Sequence, residues 1–226
     1  MNPLNLSIEL KERLVQYLTT YITEARNSRF NDVISKRMGH LAIVLEDIFQ
    51  PHNASAVLRS CDCFGIQNVH IIENHNHYAV NPDVALGSSK WVTMHRYNQT
   101  DFNTPEAFQS LRSKGYKIVA TTPHMNDCNL EDLSIDKPIA LIFGTEKTGL
   151  TQWAIDNAIP MYGFTESFNI SVSVALSSFY LTEKIRKSAL PWHLSKEEIL
   201  DTRLHWLRNS IERCDLLEKK FLEGLQ

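Results

Sequence analysis

The sequence lacks a long apolar run, and this absence excludes a membrane-spanning helix. None of its apolar stretches approaches the ~18 residues that a span requires. Where a secretory signal peptide would place an apolar segment, the chain carries Glu9, Lys11 and Glu12. We therefore expect a cytoplasmic protein.

Closely paired cysteines are also absent. The four cysteines are Cys61, Cys63, Cys128 and Cys214. None has the C-x-x-C spacing of a zinc or redox site, so all four are predicted to be reduced thiols. His75 and His77 lie two residues apart in a polar stretch, which an exposed loop explains better than a metal site. No metal is expected.

An overall positive charge is missing too. The formal net charge is -3, with 23 lysines and arginines against 26 acidic residues. This balance argues against a protein that coats nucleic acid through its whole surface. Basic residues exceed acidic ones only locally, as in residues 11–37, so an RNA site would have to be regional.

Apolar runs of strand length alternate with amphipathic stretches of helix length, which indicates an α/β fold. Strands are predicted at 41–45, 68–72, 92–96, 117–121, 138–143 and 158–162. Helices are predicted at 6–26, 53–63, 104–114, 151–157 and 170–188, and a single last helix runs from its N-cap Ser195 past Leu216. Residues 27–39 are predicted to be a linker.

The first of three polar segments follows the first strand and extends from Pro51 to Arg59. Asn53, Ala56 and Arg59 are spaced to share roughly one face of a helix. Its apolar neighbours in the sequence lead us to expect that Arg59 is buried or lines a cleft, where an arginine needs an anionic partner. That partner is either a ligand phosphate or carboxylate, or a local acid such as Asp47 or Asp62.

In the second segment, Gly144 and Gly149 bracket a polar loop after an apolar strand, a place where α/β proteins bind ligands. The spacing is similar to a phosphate-binding P-loop. However, Leu150 stands in place of the obligatory lysine, and Glu146 would repel phosphate. A loop that wraps a small ligand through backbone groups fits better.

The third segment covers residues 159–173 and leads into an apolar helix. Ser167 is a plausible N-cap for that helix. Asn169 and Ser171 stand so early in the helix that they are better placed to bind something in a cleft.

Together these segments resemble the motifs of the SPOUT superfamily of RNA 2′-O-methyltransferases, and most closely those of its TrmH subfamily. The likeness covers residues 40–190 and includes the run Gly87-Ser88-Ser89-Lys90-Trp91-Val92. The sequence departs from the subfamily pattern at Glu166, at Phe168 and in residues 182–187.

The resemblance implies a mostly parallel sheet flanked by helices, with a deep trefoil knot in the C-terminal part, and a homodimer. It divides the chain into an N-terminal helical extension (1–39), a methyltransferase domain (40–190) and a C-terminal helical arm (191–226). It also implies S-adenosylmethionine as methyl donor and the ribose 2′-hydroxyl of a D-loop guanosine in tRNA as acceptor. The alternatives are a ribosomal RNA 2′-O-methyltransferase and a non-catalytic RNA-binding relative.

The resemblance further implies roles for individual residues. The cofactor-binding positions are Thr121, Gly144, Ile159, Met161 and Phe168. Arg59 activates the hydroxyl, and the residues that orient the arginine and the ribose are Asn53, Glu146, Ser167 and Asn169. The RNA-binding positions are Lys90, Lys184, Arg186 and Lys187.

Overall fold

Six strands form one parallel sheet in the computed structural model, which describes residues 6–48, 50–79, 81–122, 130–145, 149–157, 159–162 and 169–225. The strands are β1 (Met38–Glu46), β2 (Ile66–Ile72), β3 (Thr93–Tyr97), β4 (Lys117–Thr122), β5 (Ile139–Phe143) and β6 (Ile159–Tyr162). Their order across the sheet is β3-β2-β1-β5-β4-β6, and every neighbouring pair is parallel. The predicted α/β fold and the predicted strands are confirmed, with small shifts at the strand ends.

The helices of the described chain are α1 (Ile8–Thr19), α2 (Glu24–Ile34), α3 (Pro51–Phe64), α4 (Pro82–Ala85), α5 (Thr104–Ser113), α6 (Gln152–Asn157), α7 (Ile170–Arg186), α8 (Lys196–Ser210) and α9 (Cys214–Glu223). A 3₁₀ turn occupies Ser88–Lys90. Helices α3 and α5 each carry a proline in the first turn, where its missing N–H leaves no helical hydrogen bond unmade.

The central strand β1 is buried on both faces of the sheet. Side chains alternate between the faces, so that Leu41, Ile43 and Leu45 pack with α3 and α7. Ala42 and Val44 pack on the other face with α5 and α6. The connections after β1 and β5 therefore lead to opposite faces. Such a switch point opens a crevice at the carboxyl ends of the strands.

The structure corrects three predictions at the ends of the chain. The helix predicted over 6–26 is too long, because α1 ends at Thr19 and α2 starts a new helix at Glu24 after its N-cap Thr23. The predicted linker 27–39 is wrong, because α2 (Glu24–Ile34) occupies most of it. Only Phe30 and Ile34 of that helix are buried, so its apolar periodicity is too weak to mark a helix. The single last helix is also wrong, since it divides into α8 and α9 at Arg213, whose φ of 53° is left-handed.

The chain divides into two compact units, residues 6–37 with 193–225 and residues 38–192. In the first unit, the buried Trp206 of α8 packs edge-on against Phe30, with 5.3 Å between the ring centroids. Lys11 of α1 binds Glu197 at 2.9 Å and Asp201 at 2.8 Å. These contacts join helices from both ends of the chain.

The cysteines and the two loop histidines have the predicted surroundings where the structure describes them. Cys61, Cys63 and Cys214 are free thiols, and Cys128 lies outside the described residues. The His75 and His77 side chains are 80% and 96% exposed, as expected for a loop. Within the described ranges, no helix is both long enough and apolar enough to cross a membrane.

Candidate active site

The three polar segments meet at one edge of the sheet. The first follows β1 and the second follows β5, which are paired neighbours with Leu45 opposite Phe143. The third begins in β6, which pairs with β4 so that Thr121 lies opposite Met161. Because all these strands are parallel, their carboxyl ends lie at the same edge. The fold thus brings the first segment close to the second and third, which follow roughly a hundred residues later in the chain.

A direct contact joins the first and third segments. The Asn169 side-chain amide donates a hydrogen bond to Oδ1 of Asn53, with 2.9 Å between nitrogen and oxygen. Asn53 is buried in α3, and its own amide donates to Gln50 at 3.3 Å. The bond orients both asparagines at the mouth of the crevice, as expected of residues that share one site.

Asn169 is also the N-cap of α7. Its Oδ1 accepts hydrogen bonds from the backbone amide of Ser171 at 2.8 Å and from the Ser171 hydroxyl at 2.6 Å. The prediction of Ser167 as N-cap is therefore wrong. The Asn169 side chain therefore has two roles: it caps helix α7 and it binds Asn53 in the site.

Arg59 is exposed on α3, which corrects the expectation of a buried or cleft arginine. Among the described residues it has no hydrogen-bond or ion-pair partner. The alternative pairing with Asp47 is not seen, because that carboxylate accepts instead from the backbone amides of Asn74 and His75 at 2.7 and 2.8 Å. The guanidinium of Arg59 is consequently accessible to a ligand anion.

The two described ends of the second segment lie side by side after β5. Thr145 and Gly149 exchange two backbone hydrogen bonds of 3.0 and 2.9 Å. Gly149 has a φ of +70°, a left-handed value that favours glycine. A Cβ on Gly144 would lie 2.2 Å from the backbone of Gly149, so only glycine allows this close return. On the neighbouring strand, the Thr121 hydroxyl donates to the Ile142 carbonyl at 2.9 Å.

Sequence reasoning missed Glu46, the last residue of β1. Its carboxylate is buried, with 1% of the residue exposed. It accepts hydrogen bonds from the Thr104 hydroxyl at 2.6 Å and from Thr151, which donates through its amide and its hydroxyl at 2.9 Å each. The available signal was an acidic residue that directly follows the apolar run 41–45.

The loop that follows β2 is organised by Asp47. Burial by itself raises the pKa of this carboxyl, but hydrogen bonds from His75, Asn76 and Asn74 outweigh burial and hold the pKa below its usual value. The φ of Asp47 is 55°, so its backbone turns sharply away from β1 at this point. The anchored loop flanks the switch point on the β2 side.

Comparison with known proteins decides the family. Residues 40–179, more than half of the chain, match the SpoU rRNA methylase family. The chain belongs to the SpoU rRNA methylase family. The predicted likeness to SPOUT methyltransferases of the TrmH type is thereby confirmed.

Individual relatives of this SpoU family member resemble it over most of their length. A tRNA (guanosine(18)-2′-O)-methyltransferase of Borreliella burgdorferi is 40% identical over 206 residues, which cover 89% of this chain and 93% of the relative. The protein of that name from Thermus thermophilus is 33% identical over 74% of this chain and 87% of its own. The structure also resembles an Aquifex aeolicus TrmH/SpoU tRNA modifying enzyme, with a TM-score of 0.70 and 26% identity over 84% and 98% of the two chains.

Several predicted site positions of the SpoU chain are not described. Glu146, Ser167 and Phe168 lie outside the described residues. Of Ile159 and Met161 only the backbone in β6 is described, and it lies opposite β4. Their roles stay predictions.

The four predicted RNA-binding residues have different surroundings. Lys90 is exposed in the 3₁₀ turn. Lys184 donates to the carbonyl oxygens of Glu131 and Leu133 at 2.6 and 2.9 Å. Arg186 donates to a carbonyl and stacks on Trp192, and Lys187 pairs with Glu183 at 3.1 Å. Contacts within the chain engage the side chains of Lys184, Arg186 and Lys187, and the RNA-binding role of all four residues stays a prediction.

Proposed function

We propose that this protein is an S-adenosylmethionine-dependent tRNA (guanosine(18)-2′-O)-methyltransferase, which methylates the ribose 2′-hydroxyl of a D-loop guanosine. The observation that carries the proposal is the similarity to relatives of that name along nearly the whole chain. The Asn53–Asn169 hydrogen bond supports the site, because it unites two of the motif segments. With tRNA as substrate, the protein acts in the cytoplasm.

The residues at the sheet edge suit the methyl donor. Gly144 and Gly149 have no side chains, so a ligand can approach the backbone closely at these two positions, beside the carboxyl end of β5. A ligand with adenine, ribose and amino-acid groups can be recognised through such main-chain donors and acceptors. Thr121, Ile159, Met161 and Phe168 complete the proposed binding set. The cofactor supplies an activated methyl group on a sulfonium, and no metal takes part.

Arg59 binds the substrate phosphate in this proposal. Its guanidinium stays protonated, so it is unsuited to act as a base. A positive charge beside the ribose favours loss of the hydroxyl proton electrostatically. Asn53 and Asn169 hold the ribose side of the site, together with Glu146 and Ser167. The exposure of Arg59 supports this role, because the arginine must reach a ligand rather than an internal acid.

We further propose that the C-terminal part of residues 40–190 is threaded into a deep trefoil knot. The chain leaves β6 at the edge of the sheet and enters α7, which packs beside α3. The described part of the β4–β5 connection, residues 130–138, lies on the same face, because Leu133 is buried there and its carbonyl accepts a hydrogen bond from Lys184 of α7. General topology rules do not predict knots. An experimental structure traced through residues 123–138 and 163–169 without a crossing would contradict the knot.

The active form is proposed to be a homodimer that pairs through α7. This helix exposes an apolar stripe of Val172, Leu176 and Phe179, whose residues are 42%, 46% and 58% exposed. The spacing of four and three residues places them on one helix face. An apolar stripe on an exposed helix face is typical of a protein interface. The pairing would bring Asn169, at the start of α7, close to the partner subunit.

We also propose that residues 40–190 form the methyltransferase domain. Residues 1–39 are then an N-terminal helical extension and residues 191–226 a C-terminal helical arm.

Methyl transfer tests the acceptor. Tritiated S-adenosylmethionine is incubated with unmodified tRNA and, separately, with ribosomal RNA, the alternative acceptor, which appears in the name of the SpoU rRNA methylase family. We expect label in tRNA and, by mass spectrometry, 2′-O-methylguanosine. Label in ribosomal RNA alone, or on a base, would contradict the proposal. A protein that binds tRNA but shows no S-adenosylmethionine affinity in calorimetry would be the non-catalytic relative.

Arginine variants test the site. Arg59→Ala should lower the turnover number by on the order of 100-fold, the typical loss when one transition-state donor is removed. Arg112→Ala is the matched control, since this exposed arginine of α5 stacks on Phe108 within its own helix. Normal turnover in Arg59→Ala would refute the proposed role of Arg59.

A further inference from the structure

A buried carboxylate lies between the starts of two helices beside the switch point. Glu46 accepts its hydrogen bonds from Thr104, the first residue of α5, and from Thr151, which immediately precedes α6. The Thr151 hydroxyl is itself within 3.2 Å of the Ala154 amide in the first turn of α6. Helix N-termini present unpaired amides and a positive dipole end. Both features favour a carboxylate at this point.

The same carboxylate determines where the loop 144–149 ends. Gly144 follows Phe143, which is held by the sheet opposite Leu45. Thr151 comes two residues after Gly149 and is held by Glu46, the residue that follows Leu45 in β1. Adjacent residues of β1 thus anchor both ends of the loop. Loss of the Glu46 bonds would free the returning end while the starting end stays in the sheet.

We infer that Glu46 is a positioning residue that holds the segment Gly149-Leu150-Thr151, the returning end of the loop after β5, in place for S-adenosylmethionine binding. The inference rests on the proposed function, because it takes this loop as the cofactor loop. The carboxylate itself touches Thr104 and Thr151 and has no role in methyl transfer. Its loss should therefore weaken cofactor binding and leave the RNA affinity and the chemical step unchanged.

The experiment compares S-adenosylmethionine binding by the wild-type protein and Glu46→Gln, using isothermal titration calorimetry. Glutamine has nearly the same size as glutamate, but its NH₂ group is a donor and cannot accept hydrogen bonds from Thr104 or Thr151. We expect a dissociation constant higher by on the order of tenfold, the typical effect of losing hydrogen bonds to a charged group. The KM for S-adenosylmethionine should rise similarly, while turnover at saturating cofactor and the KM for tRNA stay within about twofold.

Glu73→Gln is the matched control. Glu73 is a second buried carboxylate at the end of a strand, where it binds Arg96 at 2.8 Å and the Tyr78 amide at 2.7 Å. It anchors the loop after β2, a strand that lies on the opposite side of β1 from β5. Its substitution should lower the melting temperature and leave cofactor affinity at the wild-type value. Equal loss of affinity in both variants would show a general effect of instability and overturn the inference.

Thr151→Val provides a second route if Glu46→Gln does not fold. It removes the hydroxyl contacts with Glu46 and with the Ala154 amide but keeps the backbone bond to Glu46, so we expect a smaller, several-fold loss of cofactor affinity. Wild-type affinity in a folded Glu46→Gln or Thr151→Val protein would refute the positioning role. Failure of the wild-type protein to bind S-adenosylmethionine would instead refute the proposed function, so the two failures are distinguishable.

Discussion

Substitution of Gly144 by alanine should open the loop after β5. The added Cβ would lie 2.2 Å from both the carbonyl carbon and oxygen of Gly149 and 2.3 Å from the Leu150 nitrogen. These distances are far below 3.0 Å, the separation that Cβ atoms almost always keep from heavy atoms of other residues. The atoms in conflict belong to the backbone, so no rotation of a side chain can relieve the overlap. The loop itself must therefore move.

The cost follows from the bonds that hold the loop closed. Two backbone hydrogen bonds join Thr145 and Gly149. Each contributes about 1 kcal/mol net, so opening the loop should cost roughly 2 kcal/mol. If S-adenosylmethionine binds only the closed loop, its affinity should fall about 30-fold, since 1.4 kcal/mol corresponds to a factor of ten.

Calorimetric titration of Gly144→Ala with S-adenosylmethionine measures this loss. The matched control is Gly115→Ala, at a glycine with a φ of +83° and no described atom within 4 Å of an added Cβ. Its backbone strain of roughly 1 kcal/mol should lower the melting temperature without changing cofactor affinity. Wild-type affinity in Gly144→Ala would refute the steric reasoning.

Three further outcomes are expected. Asn169→Ala loses both the N-cap of α7 and the bond to Asn53. Its melting temperature should fall by several degrees, because an N-cap contributes about 1 kcal/mol, and its methylation rate should fall as well. An unchanged methylation rate would show that Asn169 is not part of the site. Burial lowers the pKa of both His70 and His95, that of His95 to about 4. The folded state therefore disfavours the charged imidazoles. The free energy of unfolding should decline as the pH falls from 6.5, the ordinary pKa of histidine, towards 4. Urea denaturation at pH 7 and pH 5 should show a smaller decline for His95→Gln, and an equal decline would assign the effect to other groups. Phe179→Glu should convert a dimer to a monomer in light scattering, whereas a persistent dimer would exclude the α7 stripe as the interface.

The sequence was informative wherever one local rule dominated. Continuous apolar runs such as 41–45 predict strands buried on both faces, and the structure confirms them. The predicted N-cap Ser195 is confirmed, and in the structure it forms a capping box with Glu198. Helix α2 was missed because little of its surface is buried, and the break before α9 was missed because the apolar spacing continues through Ile211.

Local sequence therefore determined the strands, most of the helices and the three polar segments that proved to follow strand ends. Only the tertiary structure decided which side chains meet. The order of the strands brings Asn53 to Asn169 and Glu46 to Thr151, pairs separated by more than a hundred residues. No short-range pattern encodes such pairs, because they depend on how the whole sheet is ordered. Burial of Arg59 was likewise misjudged, since the exposure of a helix residue depends on the elements packed around that helix.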